Sequence, residues 1–378
     1  MNTGMEREWI PYVATEVSAP GETLRETLEA LPMTQAQLAL RTGLSGKHIN
    51  QIVRGLAPVT HETAIAFERA TGVPASLWNS LESRYRDHLT RLGEEKELDA
   101  QTGWLTSMPL KALRQRGVVT ATWREPGKQL QQILQFFGVT GVEAWDAAWA
   151  QPSANFLQSS AFTAEAGAVA AWLRLGELAA AEVETVPFDK ARLREILPEL
   201  RSLTTETPDV FWPRVVELCA SAGVALVIVE EVPGARASGA TRWISPTKAL
   251  VQLSNRGKRN DLFWFALFHE LGHVLLHGKK EVFVESSLGH DGGRAEQEEG
   301  ANEFAGQTLI PSAFESDLLK IETPADARVL AARLGIAPAI VGGRIAHDRE
   351  EFTFGKPGLY EKFAVRYADA AGDQESSY

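Results

Sequence analysis

A predominantly helical α+β fold is predicted by three observations on this 378-residue chain. Most segments repeat apolar residues at the three-to-four-residue period of a helix. Three short β-branched runs, residues 224–230, 239–244 and 249–253, sit together and suffice only for a small sheet. Directly after them comes His269-Glu270-Leu271-Gly272-His273, embedded in a run with the apolar weight of a buried helix. The length accommodates two or three domains with sizeable cores: an all-α domain over 1–91, a helical middle region over 92–208, a mixed domain over 209–368 and a disordered tail over 369–378.

In the first domain, residues 34–43 and 44–55 read as two short helices joined through Gly43. Leu38 and Ala39 on the first and Ile49 and Ile52 on the second turn inward, and Ser45 caps the second. That spacing is a helix-turn-helix. Between Met33 and His61 the chain carries Arg41, Lys47 and Arg54 and no acid, a local +3 within a net charge of −11. The footprint on a polyanion is therefore narrow, and the global acidity excludes nonspecific coating of nucleic acid or membrane.

The charged run 91–99 predicts a helix end and a hinge. Helical periodicity follows at 109–115, 128–137, 142–150, 164–181 and 190–202, broken by glycine, proline and polar joints. Trp145, Trp149 and Trp172 on these helices are read as core. Cys219, the single cysteine, lies in the helical run 211–222 and fills core, which excludes an intramolecular disulfide framework. No run is long and apolar enough to span a bilayer, and the start lacks the pattern of an export signal, so the cytoplasm is the expected compartment.

The three strands are expected to form a small sheet backed by the helices that carry the metal ligands, with 237–241 as a strand edge able to hold an extended peptide. On the helix after them, His269 and His273 are four residues apart and share a face, while Glu270 lies about a quarter turn round, beside the metal, as a base. The next helix, 295–309, has an apolar stripe of Ala301, Phe304, Ala305, Thr308 and Leu309. Glu298 falls within about 60° of that stripe, whereas Glu296, Glu299 and Glu303 project to solvent. An inward carboxylate needs a partner, and a metal held by His269 and His273 is one, giving a two-histidine, one-glutamate zinc site with a fourth position open. His277 is two turns from His269, too far to join it on one ion, and reads as a helix-terminal residue before Gly278.

Residues 249–253, 263–283, the pattern Glu298-x-x-Ala301-Asn302-x-Phe304-Ala305 and the run Leu309-Ile310-Pro311 together resemble the ImmA/IrrE family of metallopeptidase domains over roughly 211–347. Residues 335–347 also resemble the segment that closes this domain in antitoxin-like members. The resemblance implies a zincin-like domain and a zinc-dependent endopeptidase acting on regulatory proteins. It assigns His269, His273 and Glu298 as ligands and Glu270 as base. Gly300 departs from the pattern, and glycine there loosens the helix by about 1 kcal/mol. Arg344 and His347 are the candidates for a second electrophile toward the transition state.

Residues 21–86 resemble the XRE family of DNA-binding domains, including HigA-type antitoxins. In that family the second helix enters the major groove. The matching positions here are Ser45, Lys47, His48, Gln51 and Arg54, with Gln35 near a phosphate at the start of the first helix. Three basic residues give a monomer weak affinity, so two domains on a palindromic double-stranded operator, and hence a homodimer, are expected. Two functions follow. The first is a DNA-binding regulator fused to a zinc endopeptidase that cleaves a repressor, an antitoxin-like partner or itself. The second is an antitoxin-like repressor, paired with a toxin, whose zinc domain senses a signal or supports dimerisation without cleaving.

Overall fold

The computed structural model describes residues 17–150, 166–254, 259–278, 283–286, 295–356 and 358–362. The tail expected at 369–378 lies outside them. The chain divides into two units, Met1–Ala100 and Gln101–Tyr378.

The described part of the first unit is all-α: α1 (Pro20–Ala30), α2 (Gln35–Thr42), α3 (Gly46–Val53), α4 (His61–Thr71) and α5 (Ala75–Ala100). Polar residues that accept from exposed first-turn amides set the helix starts. Thr34 and Gln37 form a reciprocal box at α2, Ser45 accepts from the His48 amide at α3, and Thr60 accepts from Thr63 at α4. Gly43 ends α2 at φ 70, a conformation that glycine adopts without strain. Leu24, Leu38, Ile49, Ile52, Phe67 and Trp78 form the core, with the Phe67 and Trp78 rings edge to face at 5.5 Å. The buried Glu82 on α5 accepts from the Val59 amide at 2.9 Å and pairs with Arg86, so its charge is satisfied. The run 91–99 forms the closing turns of α5, whose end at Ala100 coincides with the end of the first unit, as the expected helix end requires; the run itself stays helical, because Glu, Lys, Leu and Arg favour helix strongly enough to carry Gly93.

The second unit is built on a four-stranded sheet: β1 (Val224–Ile228), β2 (Ala237–Ser245), β3 (Lys248–Leu253) and β4 (Phe283–Ser286), in the order β1-β3-β2-β4. β1 runs parallel to β3, and β2 is antiparallel to both β3 and β4. The expectation that 237–241 forms an edge is corrected here, since β4 pairs with β2 from Ala237 to Thr241. Sequence patterning cannot see a four-residue strand thirty residues downstream.

Alternate strand residues face two different layers. Val224, Leu226, Ile228, Ala249, Val251 and Leu253 pack toward α11 (Asn260–Leu276), together with α10 (Pro208–Ala220), whose Phe211 lies 4.8 Å from the Trp264 ring. Ala225, Val227, Ala240 and Leu250 pack toward α8 (Ala166–Ala181). A sheet covered on both faces needs near-continuous apolar strands, which explains why every residue of β1 is buried. The helices from 101 onward, including α6 (Leu110–Gln115) and α7 (Pro126–Phe137), thus belong with the sheet, and Trp172 on α8 is core, its indole N–H donating to the Val229 carbonyl at 3.0 Å. Gln252, Arg242 and Lys248 hold α8 in turn by donating to the Trp172, Leu173 and Ala180 carbonyls. Cys219 is buried, and burial pushes its thiol up to about 12, which suits a core-filling role.

Helices α12 (Ala295–Leu309), α13 (Pro324–Leu334) and α14 (Pro338–Asp348) complete the layer around α11. Arg201, in α9 (Lys190–Ser202), donates from Nε to the Leu309 carbonyl at 3.0 Å and from Nη1 to the Leu334 carbonyl at 2.8 Å. One cation thereby caps the carboxyl ends of α12 and α13, where helix dipoles favour positive charge. Replacing Arg201 with Ala should destabilise the second unit by about 2 kcal/mol, lowering its melting transition by several degrees in calorimetry. The first unit's transition should not move.

Candidate functional site

His269 and His273 lie one turn apart on α11, 1% and 2% exposed, with their Nε2 atoms 2.9 Å apart. Glu298, in the first turn of α12 and 5% exposed, brings Oε2 to 3.2 Å from His269 Nε2 and 3.4 Å from His273 Nε2. Among the described residues these three form the cluster of potential metal ligands, with donor atoms all within 4.8 Å of one another. The spacing between helices depends on Gly272. A Cβ there would lie 3.0 Å from Phe304 Cδ1 and 3.4 Å from Ala301 Cα, so a larger residue would push α12 and its glutamate away. Glu296, Glu299 and Glu303 are exposed, as the helical-face reading expects.

Burial lowers the His273 imidazole from 6.5 to about 4, despite the opposing hydrogen bond that it donates to Glu298. Burial alone pushes the Glu298 carboxyl up, but hydrogen bonds from His269 and His273 together outweigh it and hold the group below the usual carboxylate range. At neutral pH the cluster therefore offers a neutral imidazole and an ionised carboxylate, the protonation that a divalent cation requires. His269 Nδ1 lies 2.9 Å from Asn302 Oδ1, an acceptor suited to a proton on Nδ1, and a second-sphere contact of this kind holds the ring with Nε2 turned toward His273 and Glu298. Four ligands about 2.1 Å from a tetrahedral zinc stand about 3.4 Å apart, close to the observed separations of 2.9, 3.2 and 3.4 Å. The donor set fits that ion.

Glu270, fully buried, lies against β2. Thr241 Oγ1 donates to its Oε2 at 2.6 Å, and a Cβ on Gly239 would collide with its Oε1. Sequence reasoning carries Asn302 in its motif and 237–241 as a strand without giving Asn302, Thr241 or Gly239 these roles. Asn302 carries a local signal, since it lies one turn after Glu298, but the two β2 residues reach the site only through tertiary packing. His277 caps α11, its Nε2 3.1 Å from the Gln297 carbonyl, and stands outside the ligand cluster. Arg344 and His347 lie on α14. Arg344 Nε donates to Asp348 Oδ2 at 2.7 Å, and the His347 side chain is 86% exposed beside the same aspartate. No hydrogen bond or ion pair joins either of them to the ligands or Glu270 among the described residues.

The amino end of α11 is tied down by a distant segment. The Asn260 amide donates to the Glu361 carbonyl at 3.1 Å, Asn260 Oδ1 accepts from the Glu361 amide at 3.2 Å, and the Arg259 guanidinium stacks 3.8 Å over Tyr360.

In the first unit, α3 buries Ile49 and Ile52 and presents Lys47, Asn50 and, at its carboxyl end, Arg54 to solvent. His48 and Gln51 are half-buried beside them. The Ser45 hydroxyl is exposed but engaged with the His48 amide at 3.1 Å, and Gln35 opens α2, half-buried. Asn50, on the same outward face, was not singled out by sequence reasoning.

Residues 226–345 match the family model of the IrrE N-terminal-like domain, a peptidase family, and residues 24–78 match a helix-turn-helix family model. These matches indicate a peptidase-like module and a DNA-binding regulator. No curated protein and no solved structure matches the chain. No helix among the described residues is long and apolar enough to cross a membrane.

Two outcomes are expected. Gly272→Val should weaken zinc binding at least tenfold in competition with a chromophoric chelator, because it separates Glu298 from the imidazoles. The metal-free protein should also lose stability on acidification. The folded value of His273 lies below its unfolded value, so the unfolded chain binds the proton first as pH falls from 6.5 to about 4, and stability decreases across that window. Glu298, also held low, adds a further loss below its unfolded value of 4.5. Melting temperatures of stripped protein between pH 7 and pH 4 read this directly, and a flat profile is the contrary result.

Proposed function

We propose, for a chain that joins a helix-turn-helix domain to an IrrE N-terminal-like domain of a peptidase family, a cytoplasmic DNA-binding regulator with zinc-dependent endopeptidase activity. Its substrate is a regulatory protein: a repressor, an antitoxin-like partner or a copy of itself. The observation that carries this reading is the convergence of His269, His273 and Glu298 from two helices, with the buried Glu270 next in sequence to one of them.

His269, His273 and Glu298 hold the ion, and a three-ligand set of this kind belongs to catalytic rather than closed structural sites. Zinc, when bound, supplies the Lewis acidity that makes a water acidic near neutral pH and polarises a peptide carbonyl. Glu270 accepts the proton as the water oxygen attacks the carbonyl carbon, then delivers it to the departing amine nitrogen as the C–N bond breaks. Asn302 keeps the His269 ring in its ligating tautomer. Arg344 and His347 are the candidates to meet the developing oxyanion. For Arg344 this requires its pair with Asp348 to open when substrate arrives.

On the first unit, Gln35, Ser45, Lys47, His48, Gln51 and Arg54 form the DNA face, and the exposed Asn50 joins them as a residue suited to adenine. Lys47 and Arg54 are the only cations on or next to α3, which favours a homodimer on a two-fold operator.

Glu270→Gln should leave zinc content and operator affinity unchanged while lowering proteolysis at least a hundredfold. Regulation that persists in this variant would sink the proteolytic account. Lys47→Ala combined with Arg54→Ala should weaken operator binding at least tenfold and reduce the salt slope by about 2, measured by fluorescence anisotropy at several ionic strengths.

A further inference from the structure

We propose that Thr241 is the positioning residue for the Glu270 carboxylate, an inference that rests on the peptidase reading above. Thr241 is 1% exposed on β2, and its Oγ1 lies 2.6 Å from Glu270 Oε2 and 3.0 Å from the Glu270 carbonyl oxygen. A hydroxyl has one hydrogen, and the shorter contact, to the charged acceptor, takes it. Two residues earlier on the same face of the strand, Gly239 offers bare backbone, and any Cβ there would occupy the place of Oε1. The carboxylate thus lies flat on β2, with a donor at one oxygen and a cleared space under the other.

The strand that does this is itself fixed. Thr241 pairs with Val251 on β3 and with Phe283 on β4, and Gly239 with Leu253 and Glu285, so both residues sit in the interior of the sheet. A glutamate on a helix has three rotatable side-chain torsions, and a general base works only when one oxygen is aligned with the proton it takes. Thr241 removes that freedom by engaging Oε2 and so fixes the plane of the whole carboxylate. A hydroxyl can orient a carboxylate without neutralising it, whereas a lysine or arginine in its place would bind the charge that the base must keep. A site supported from a strand interior is also more precise than one supported from a loop.

The test uses the full chain loaded with cobalt(II) in place of zinc, whose visible spectrum reports the surroundings of the ion without any substrate. Fluorescein-labelled casein serves as the hydrolysis probe. Thr241→Val, which keeps the shape and removes the donor, should bind one equivalent of cobalt as tightly as the unaltered chain but with a changed visible spectrum. Its kcat on casein should fall at least tenfold with KM within twofold. Thr241→Ser should restore both the spectrum and kcat, and Gly239→Ala should reproduce the valine variant by displacing the carboxylate instead of releasing it. An unchanged spectrum and kcat in Thr241→Val overturns the proposal. So does equal loss in the valine and serine variants, or loss of cobalt itself, either of which marks Thr241 as structural. If the unaltered chain binds cobalt but leaves casein intact, the peptidase reading is what fails for that probe, and the spectra alone decide the positioning role.

Discussion

Two imidazoles and a carboxylate held within 3.4 Å of one another, almost wholly out of water, are the constraint that the second unit is arranged around. An ionised carboxylate is expensive to bury, and it stays there only with donors or a cation beside it. The surrounding structure reflects that demand. α11 is buried on nearly all sides, leaving Leu262, Phe265 and Leu276 as its less covered residues, so the imidazoles cannot swing out to solvent. Gly272, Ala301 and Ala305 keep the two ligand helices close, and Arg201 closes the far end of α12. Asn302 fixes a ring, and β2 fixes the neighbouring acid.

What the sequence makes legible is what depends on a single helix. The shared face of His269 and His273, the inward turn of Glu298 and the outward turn of its three neighbouring glutamates all follow from the 3.6-residue period, and the burial pattern agrees with each. The Ser45 cap and the Gly43 turn are equally local. Long-range pairing is not legible in the same way. β4 is too short to carry a pattern, and its presence turns 237–241 from an edge into an interior stretch. α8 reads as one more amphipathic segment, yet it covers the second face of the sheet through carbonyls that accept from Gln252, Arg242 and Lys248. Gly239 and Thr241 carry no signal at all until the strand is laid under Glu270.

The two units follow different physical logics. The first is a small helical core whose outward chemistry rests on few charges, with the Ser45 hydroxyl already engaged in capping the helix it opens. Sequence-independent attraction to phosphate is therefore weak, and orientation by helix ends and shape has to carry more of the recognition. The second unit hides its chemistry in a dry interior reached through the fold rather than displayed on it. In one chain, a lightly charged helical surface is joined to a deeply buried cluster of potential metal ligands.

The tie between Asn260 and Glu361 spans 101 residues of chain. At the ribosome that interval takes roughly 5–20 s, and the DNA-binding unit, being amino-terminal, has its whole sequence available far earlier. The helix that presents both imidazoles acquires its amino-terminal anchor only when the last described residues have emerged. A nascent chain therefore has the sequence of its helix-turn-helix complete well before the helix that presents both imidazoles can be anchored, so the order of synthesis sets the order in which the two units can close.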